Sequence, residues 1–131
     1  MRVLKKLIKN MIQTRKEVML DAVTATTTSR GVPLDNAGRV SIQLVGASVS
    51  TGTGTFTVQV SNDSVNWVDY QRIIPNLIGT NSQTDAFVAS KVINANGSSM
   101  VFVSAGDTFS SMRVICTRAT DGAYSAIAYI N

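Results

Sequence analysis

A chain of 131 residues has room for one domain with a real core. Hydrophobic residues make up 44% of it, which is ordinary, but charged residues only 15%, against about 25% for an average domain. There is no His and a single Cys, which excludes Ser-His and Cys-His catalysis, the commonest metal ligand and any intramolecular disulfide.

The formal net charge of +4 is unevenly spread. Residues 1–20 hold Arg2, Lys5, Lys6, Lys9, Arg15 and Lys16 against Glu17, a balance of +5. The remaining chain holds six basic residues and seven Asp, a balance of −1. The basicity therefore belongs to an N-terminal arm, and whatever the arm touches is the candidate acidic partner.

Residues 3–20 read as an amphipathic helix. Leu4, Leu7, Ile8, Met11 and Ile12 follow the i, i+3, i+4, i+7, i+8 pattern, and Val18 and Met19 extend it. Lys5, Lys6, Lys9, Gln13 and Lys16 fall mainly elsewhere on the wheel. Such a helix has to bury its stripe on something: its own β-domain, another copy, another protein or a membrane surface. The charge contrast with the body favours a surface other than its own domain. Met1–Lys6 looks like the start of a secretory signal, but Lys9, Asn10 and Gln13 interrupt the apolar run that should follow. The expectation is an unprocessed protein, and no run approaches the roughly 20 apolar residues of a transmembrane span.

From Asp21 onward the chain reads as β, so the expected division is an arm at 1–21 and a β-domain at 22–131. Ala22–Ser29 is Thr-rich and extended, and Gly31–Gly38 is a loop. Arg39–Val45 is a strand, with Val40, Ile42 and Leu44 on one face. Gly54–Tyr70 reads as a hairpin in which Phe56, Val58 and Val60 alternate with polar residues, and Ser61-Asn62-Asp63-Ser64 makes the turn. Trp67, the only Trp, is expected in the core with Phe56, Val58 and Val60 as its anchor. Strands are further expected over Thr84–Ser90 with an extension through Ile93, Met100–Ser104, Ser111–Thr117 and Ala123–Ile130. Turns separate them, among them Asn96-Gly97, the strongest short turn signal in the chain. Seven to eight short strands at this spacing predict an all-β, antiparallel sandwich or jelly roll preceded by the helix.

Catalytic chemistry is thin. Asp35, Asp63, Asp107 and Asp121 fall in turns, where capping is the simplest role. Asn62-Asp63 has oxygen ligands that suit Ca²⁺, but no others cluster beside them in sequence. Gly52-Thr53-Gly54 lacks the Lys and following helix of a phosphate loop. Cys116 shares an apolar strand face with Met112 and Val114 and reads as a small core residue. No catalytic residue, metal, cofactor or small-molecule substrate is expected, and the chain reads as a non-enzyme.

Thr55–Tyr70, TFTVQVSNDSVNWVDY, resembles a segment found in phage virion proteins with β-sandwich folds, and more weakly one in discoidin-like sandwiches. The resemblance implies a bacteriophage structural protein of the capsid decoration, minor capsid or fibre-base kind. It implies localisation in the virion after synthesis in the host cytoplasm. The implied partners are other copies of the chain in a homo-oligomer and a major capsid or other virion protein. Leu4, Lys5, Lys6, Leu7, Ile8, Lys9, Met11 and Ile12 would make the contact, with contact to a membrane surface or nucleic acid left open for the same arm. The alternative is a glycan-binding adhesion module using Trp67, Tyr70, Tyr124 or Tyr129.

Overall fold

The computed structural model describes residues 14–35, 37–71, 73, 88–103 and 109–131. Its strands in chain order are β1 (Arg15–Val23), β2 (Thr27–Thr28), β3 (Val32–Pro33), β4 (Val40–Ala47), β5 (Thr53–Ser61), β6 (Val68–Asp69), β7 (Lys91–Ile93), β8 (Gly97–Val103), β9 (Ser111–Ala119) and β10 (Ala123–Ile130). One antiparallel sheet has the order β1-β10-β4-β8. The other is built on the central pair β9 and β5, with β2 and β3 along the free edge of β9 and β6 and β7 along the free edge of β5. With each short pair taken as one position, both sheets are four strands wide. The chain winds through them in the orders 1-8-3-6 and 2-7-4-5, the winding of a jelly roll.

The period-two pattern fixes which side of each strand faces inward. Val40, Ile42 and Leu44 of β4, Phe56 and Val58 of β5, Met112, Val114 and Cys116 of β9, and Tyr124, Ala126 and Ala128 of β10 are all buried between the sheets. Tyr124 lies at the centre, fully buried, with its ring edge-on to Phe56 at 6.3 Å. The last residue is tied in as well: Gly38 and Arg39 both donate to the Asn131 carbonyl at 2.9 Å, and Asn131 donates back to Arg39.

The all-β, two-sheet architecture agrees with the sequence, but the helix expected over residues 3–20 does not extend through its last third. Residues 15–20 are strand, paired with β10 from Arg15–Ile130 to Leu20–Ala126. The arm boundary expected at residue 21 thus falls inside β1. A bulge after Val18 explains the misleading pattern, because it turns the consecutive Met19 and Leu20 both inward. Two adjacent apolar positions fit a helical stripe better than strict alternation. Leu4, Lys5, Lys6, Leu7, Ile8, Lys9, Met11 and Ile12 lie outside the described residues, as does most of the strand expected at 84–90.

The turn expected at Asn96-Gly97 joins strands of different sheets: β7 pairs with β5 and β8 with β4, so residues 94–96 carry the chain from one sheet to the other. One further expectation is corrected. Trp67 is not a core anchor. Phe56 and Val58 are 2% exposed and Val60 is half-buried against the core, but Trp67 sits half-exposed on the outer side of the β9–β5 pair. The cause is local. The Asp63 carboxylate accepts from the amides of Val65 and Asn66, bending residues 62–66 away from the ladder, and Ser64 takes a φ of 60°. Val68 and Asp69 return to pair with β5, and the Tyr70 amide donates to the Val58 carbonyl at 2.8 Å. In urea unfolding, Phe56→Ala should therefore lose about 3–5 kcal/mol. Trp67→Ala should lose only about 1 kcal/mol, the worth of an exposed cation–π contact; equal losses would restore Trp67 to the core.

Candidate interaction site

The two ends of the sandwich are built differently. At one end the β4–β5 loop, residues 94–96 and the β9–β10 corner interlock through backbone amides. The Asp121 carboxylate accepts from the amides of Ser50 at 3.0 Å, Thr51 at 3.2 Å and Gly52 at 2.9 Å. Asn96 accepts from the Val49 amide at 2.8 Å. The Tyr124 hydroxyl donates to the Asp121 carbonyl at 2.9 Å. The amides hold the Asp121 carboxyl below its ordinary range, while burial and then the nearby Asp121 charge push the Tyr124 phenol up.

A concavity of about 230 Å³ lies there beside residues 91–99. The opposite end, from which β1 starts, carries two larger ones. Trp67 lies under the Arg113 guanidinium, 4.5 Å from the ring centroid. Its far edge faces Gly31, where a Cβ would come within 2.9 Å of the ring, so only glycine fits there without a shift. Arg113 in turn donates to Gln59 at 2.7 Å, and Gln59 donates to Asp69 at 2.8 Å. This polar chain across β9, β5 and β6 fixes the orientation of the indole. Beside it opens a groove of about 730 Å³ lined by Trp67, Phe109, Pro33, Asp35, Ser64 and Ser110 among others. Asp35 is held by the Arg15 guanidinium at 2.7 Å. A second concavity of about 330 Å³ lies towards Asn62, Asp63 and Val68, with Phe109 lining both. Val65 and Val68 stand out from this loop at 77% and 66% exposure.

Chemically, the groove offers an aromatic edge, hydroxyls and one carboxylate already engaged by Arg15. That set suits contact with a polar neutral surface. Asp63 acts as the cap of its own turn: both its oxygens are taken by the Val65 and Asn66 amides and the side chains of Asn66 and Ser61, which hold its carboxyl far below the usual range. Among the described residues no three His, Cys, Asp or Glu side chains gather as a metal site.

The outer faces of the two sheets also differ. Outward on β5 and β9 lie Thr53, Thr55, Thr57, Gln59, Arg113 and Thr117, with Ile115 and Ala119 the apolar exceptions. Outward on the other sheet, Val18, Ile127, Gln43 and Met100 form one row across four strands, and Lys16, Tyr129, Ser41 and Phe102 form the next. Ser125, Val45 and Ser98 make a third. Six of these eleven side chains are apolar and only Lys16 is charged; Val18 and Met100 are 47% and 41% exposed. The sequence reading singled out neither this face, Arg113 nor the role of Tyr124. A usable signal was present in Ala123–Ile130, AYSAIAYI, which is apolar at nearly every position and so has two apolar sides.

No family model matches the chain, and no curated protein matches it in sequence. Its backbone is similar to that of the SPBc2 prophage-derived protein YomS, with a TM-score of 0.60 and 8% identity over 91% of this chain and 94% of that one. It is more distantly similar to a structure of infectious bursal disease virus, Gx strain, with a TM-score of 0.47 and 13% identity over 90% of this chain but 32% of that one. A third similarity, to PirA, has a TM-score of 0.45 and 11% identity over 90% and 93% of the two chains. The likeness to YomS shows a shared fold along nearly the whole length of both.

The Asp121 contact makes acid stability testable. A carboxyl whose folded pKa is depressed contributes stability above its unfolded value, near 3.8, and loses it as pH falls through the folded value. Asp121→Asn presents an amide that cannot accept all of these bonds. At about pH 6 the variant should have a lower urea midpoint than the wild type, and the gap should narrow as pH falls below 3.8 and the wild-type carboxyl protonates. A gap independent of pH would show that the charge does not matter.

Proposed function

We propose that the chain is a non-enzymatic structural protein of a phage virion, a capsid decoration, minor capsid or fibre-base subunit. It is made in the host cytoplasm and assembles with its own copies and with a major capsid or other virion protein. The observation that carries this reading is the outer face of the β1-β10-β4-β8 sheet. An antiparallel sheet normally turns one polar side to water; on the other sheet of this sandwich the outward positions of β5 and β9 are mostly Thr, Gln and Arg, with Ile115, Ala119 and Val92 of β7 the apolar ones. This one turns out six apolar side chains, with Lys16 and the exposed Asp21 of β1 as the charges along its edge strand, which is close to the composition of a contact surface. The amphipathic arm supplies a second one, with Leu4, Leu7, Ile8, Met11 and Ile12 as its stripe and Lys5, Lys6 and Lys9 off it. The whole-length fold likeness to a prophage-derived protein supports the phage setting.

The test is removal of residues 1–13. The cut stops there because Met19 and Leu20, further along, are core residues of β1. The truncated chain should keep its cooperative unfolding transition and its far-ultraviolet β spectrum, but should fail to co-sediment when co-expressed with the other particle proteins. Co-sedimentation at the wild-type ratio would overturn the role of the arm.

The Trp67 groove favours a second reading, a glycan-binding adhesion module. A half-exposed Trp beside hydroxyl-lined space is the combination that binds a sugar face. On a glycan array this reading requires saturable binding by the wild type that Trp67→Ala abolishes. An array without saturable binding removes it.

A further inference from the structure

We infer, on the glycan-binding reading above, that the Trp67 groove takes a neutral sugar through the sugar's own hydroxyl protons, and that Asp35 is the residue that selects it.

The hydroxyl protons of the groove itself are already engaged. Ser64 and Ser111 share a hydrogen bond at 3.0 Å, and Ser111 donates to the Ser61 carbonyl at 3.4 Å, which leaves Ser64 as the donor of the pair. Ser110 donates to the same carbonyl at 3.0 Å. A serine hydroxyl carries one proton, so towards a ligand all three can only accept. Asp35 is an acceptor as well. One of its oxygens takes the Arg15 guanidinium at 2.7 Å; among the described residues the other has no partner. Hydroxyls and a carboxylate arranged in this way need a ligand that brings donors.

Charge narrows the class. Among the described residues lining the groove, Asp35 is the only charged one. An acidic ligand would therefore meet a like charge, with no hydroxyl proton to offset it. A ligand cation would meet Arg15 on that carboxylate and Arg113 at 4.5 Å from the Trp67 ring centroid. An extended peptide presents a carbonyl for nearly every amide, and those carbonyls would find no serine proton here. A neutral sugar can turn each hydroxyl as a donor and lay an apolar ring face against Trp67 or Phe109.

The walls are set before a ligand arrives. Phe109 stands edge-on to the buried Tyr70 at 5.6 Å. Trp67 is stacked with Arg113, and its far edge abuts Gly31. Asp35 and Ser64 both have left-handed backbones, with φ of 50° and 60°, and strain of that kind gathers at binding sites. The groove's volume of about 730 Å³ lies within the roughly 300–1,000 Å³ of small-molecule sites.

The experiment uses the full chain labelled with nitrogen-15. Trp67 is the only Trp, so a single indole N–H resonance reports on the groove. The probes are neutral hexasaccharides of glucose, mannose, galactose and N-acetylglucosamine, with hexagalacturonate as the acid and decaproline as the peptide. At least one neutral sugar should shift the resonance saturably, and the acid and the peptide should not. Asp35→Asn keeps the side-chain size and tolerates the left-handed backbone. It should raise the Kd for that sugar by about tenfold or more, through loss of a charged acceptor, while the urea midpoint stays near that of the wild type because the Arg15 pair is exposed. No shift with any of the four neutral sugars, a shift with the acid or the peptide, or an unchanged Kd in Asp35→Asn would each overturn the inference. If that happens while a glycan array still shows saturable binding that Trp67→Ala abolishes, the glycan-binding reading stands and only the selection by Asp35 falls.

Discussion

The sandwich depends on how closely its two sheets approach around Tyr124. The ring is fully buried, and the positions against it on β5 and in the β9–β10 corner are Gly54 and Gly122. A Cβ at Gly54 would lie 2.5 Å from the ring, inside any real contact. Gly122 also has a φ of 101°, which side chains rarely adopt. Phe56 closes the other side edge-on. Because the phenol reaches the Asp121 carbonyl while the Asp121 carboxylate gathers the amides of residues 50–52, core packing and loop geometry at this end are one linked system. A shift of the ring moves the corner, and a shift of the corner releases the loop.

That linkage leaves variation to the other end. There the same residue types do different work. Asp63 uses its carboxylate to bend its own loop, and the bend places Trp67 outside the core where Arg113 covers it. Arg15 and Arg30 hold the start of the chain through Asp35 and Glu17. These pairs are exposed and add little stability each. Their effect is to tie the first residues of β1 to the β2–β3 and β3–β4 connections beside the groove.

Much of the fold was legible because strand alternation is a short-range signal. β4, β9 and β10 show it plainly: Val40, Ile42, Leu44, then Met112, Val114, Cys116, all buried. What failed was information that resides in pairing partners. Asn96-Gly97 has the chemistry of a hairpin turn, but which sheet receives the next strand depends on β4 and β5, about fifty residues earlier. Val18, Met19 and Leu20 suit a helix or a bulged strand equally, and β10 settles it by offering a ladder. Trp67 was misplaced because size was taken for burial, whereas a single Asp four residues earlier redirected the backbone. The apolar outer face was missed for a related reason. Each strand gives it one or two residues, and only the register of four strands shows that Val18, Ile127 and Met100 share a row.

The low charge of the body and the high charge of the arm then have one explanation. A nearly neutral sandwich with an open apolar sheet face has little electrostatic repulsion to keep copies from associating without order. Adding charges to that face would prevent such contact and also prevent a specific one. Placing the charges on a separate segment, opposite an apolar stripe, avoids the conflict. Residues 1–13 hold Arg2, Lys5, Lys6 and Lys9 and no acidic residue, a balance of +4.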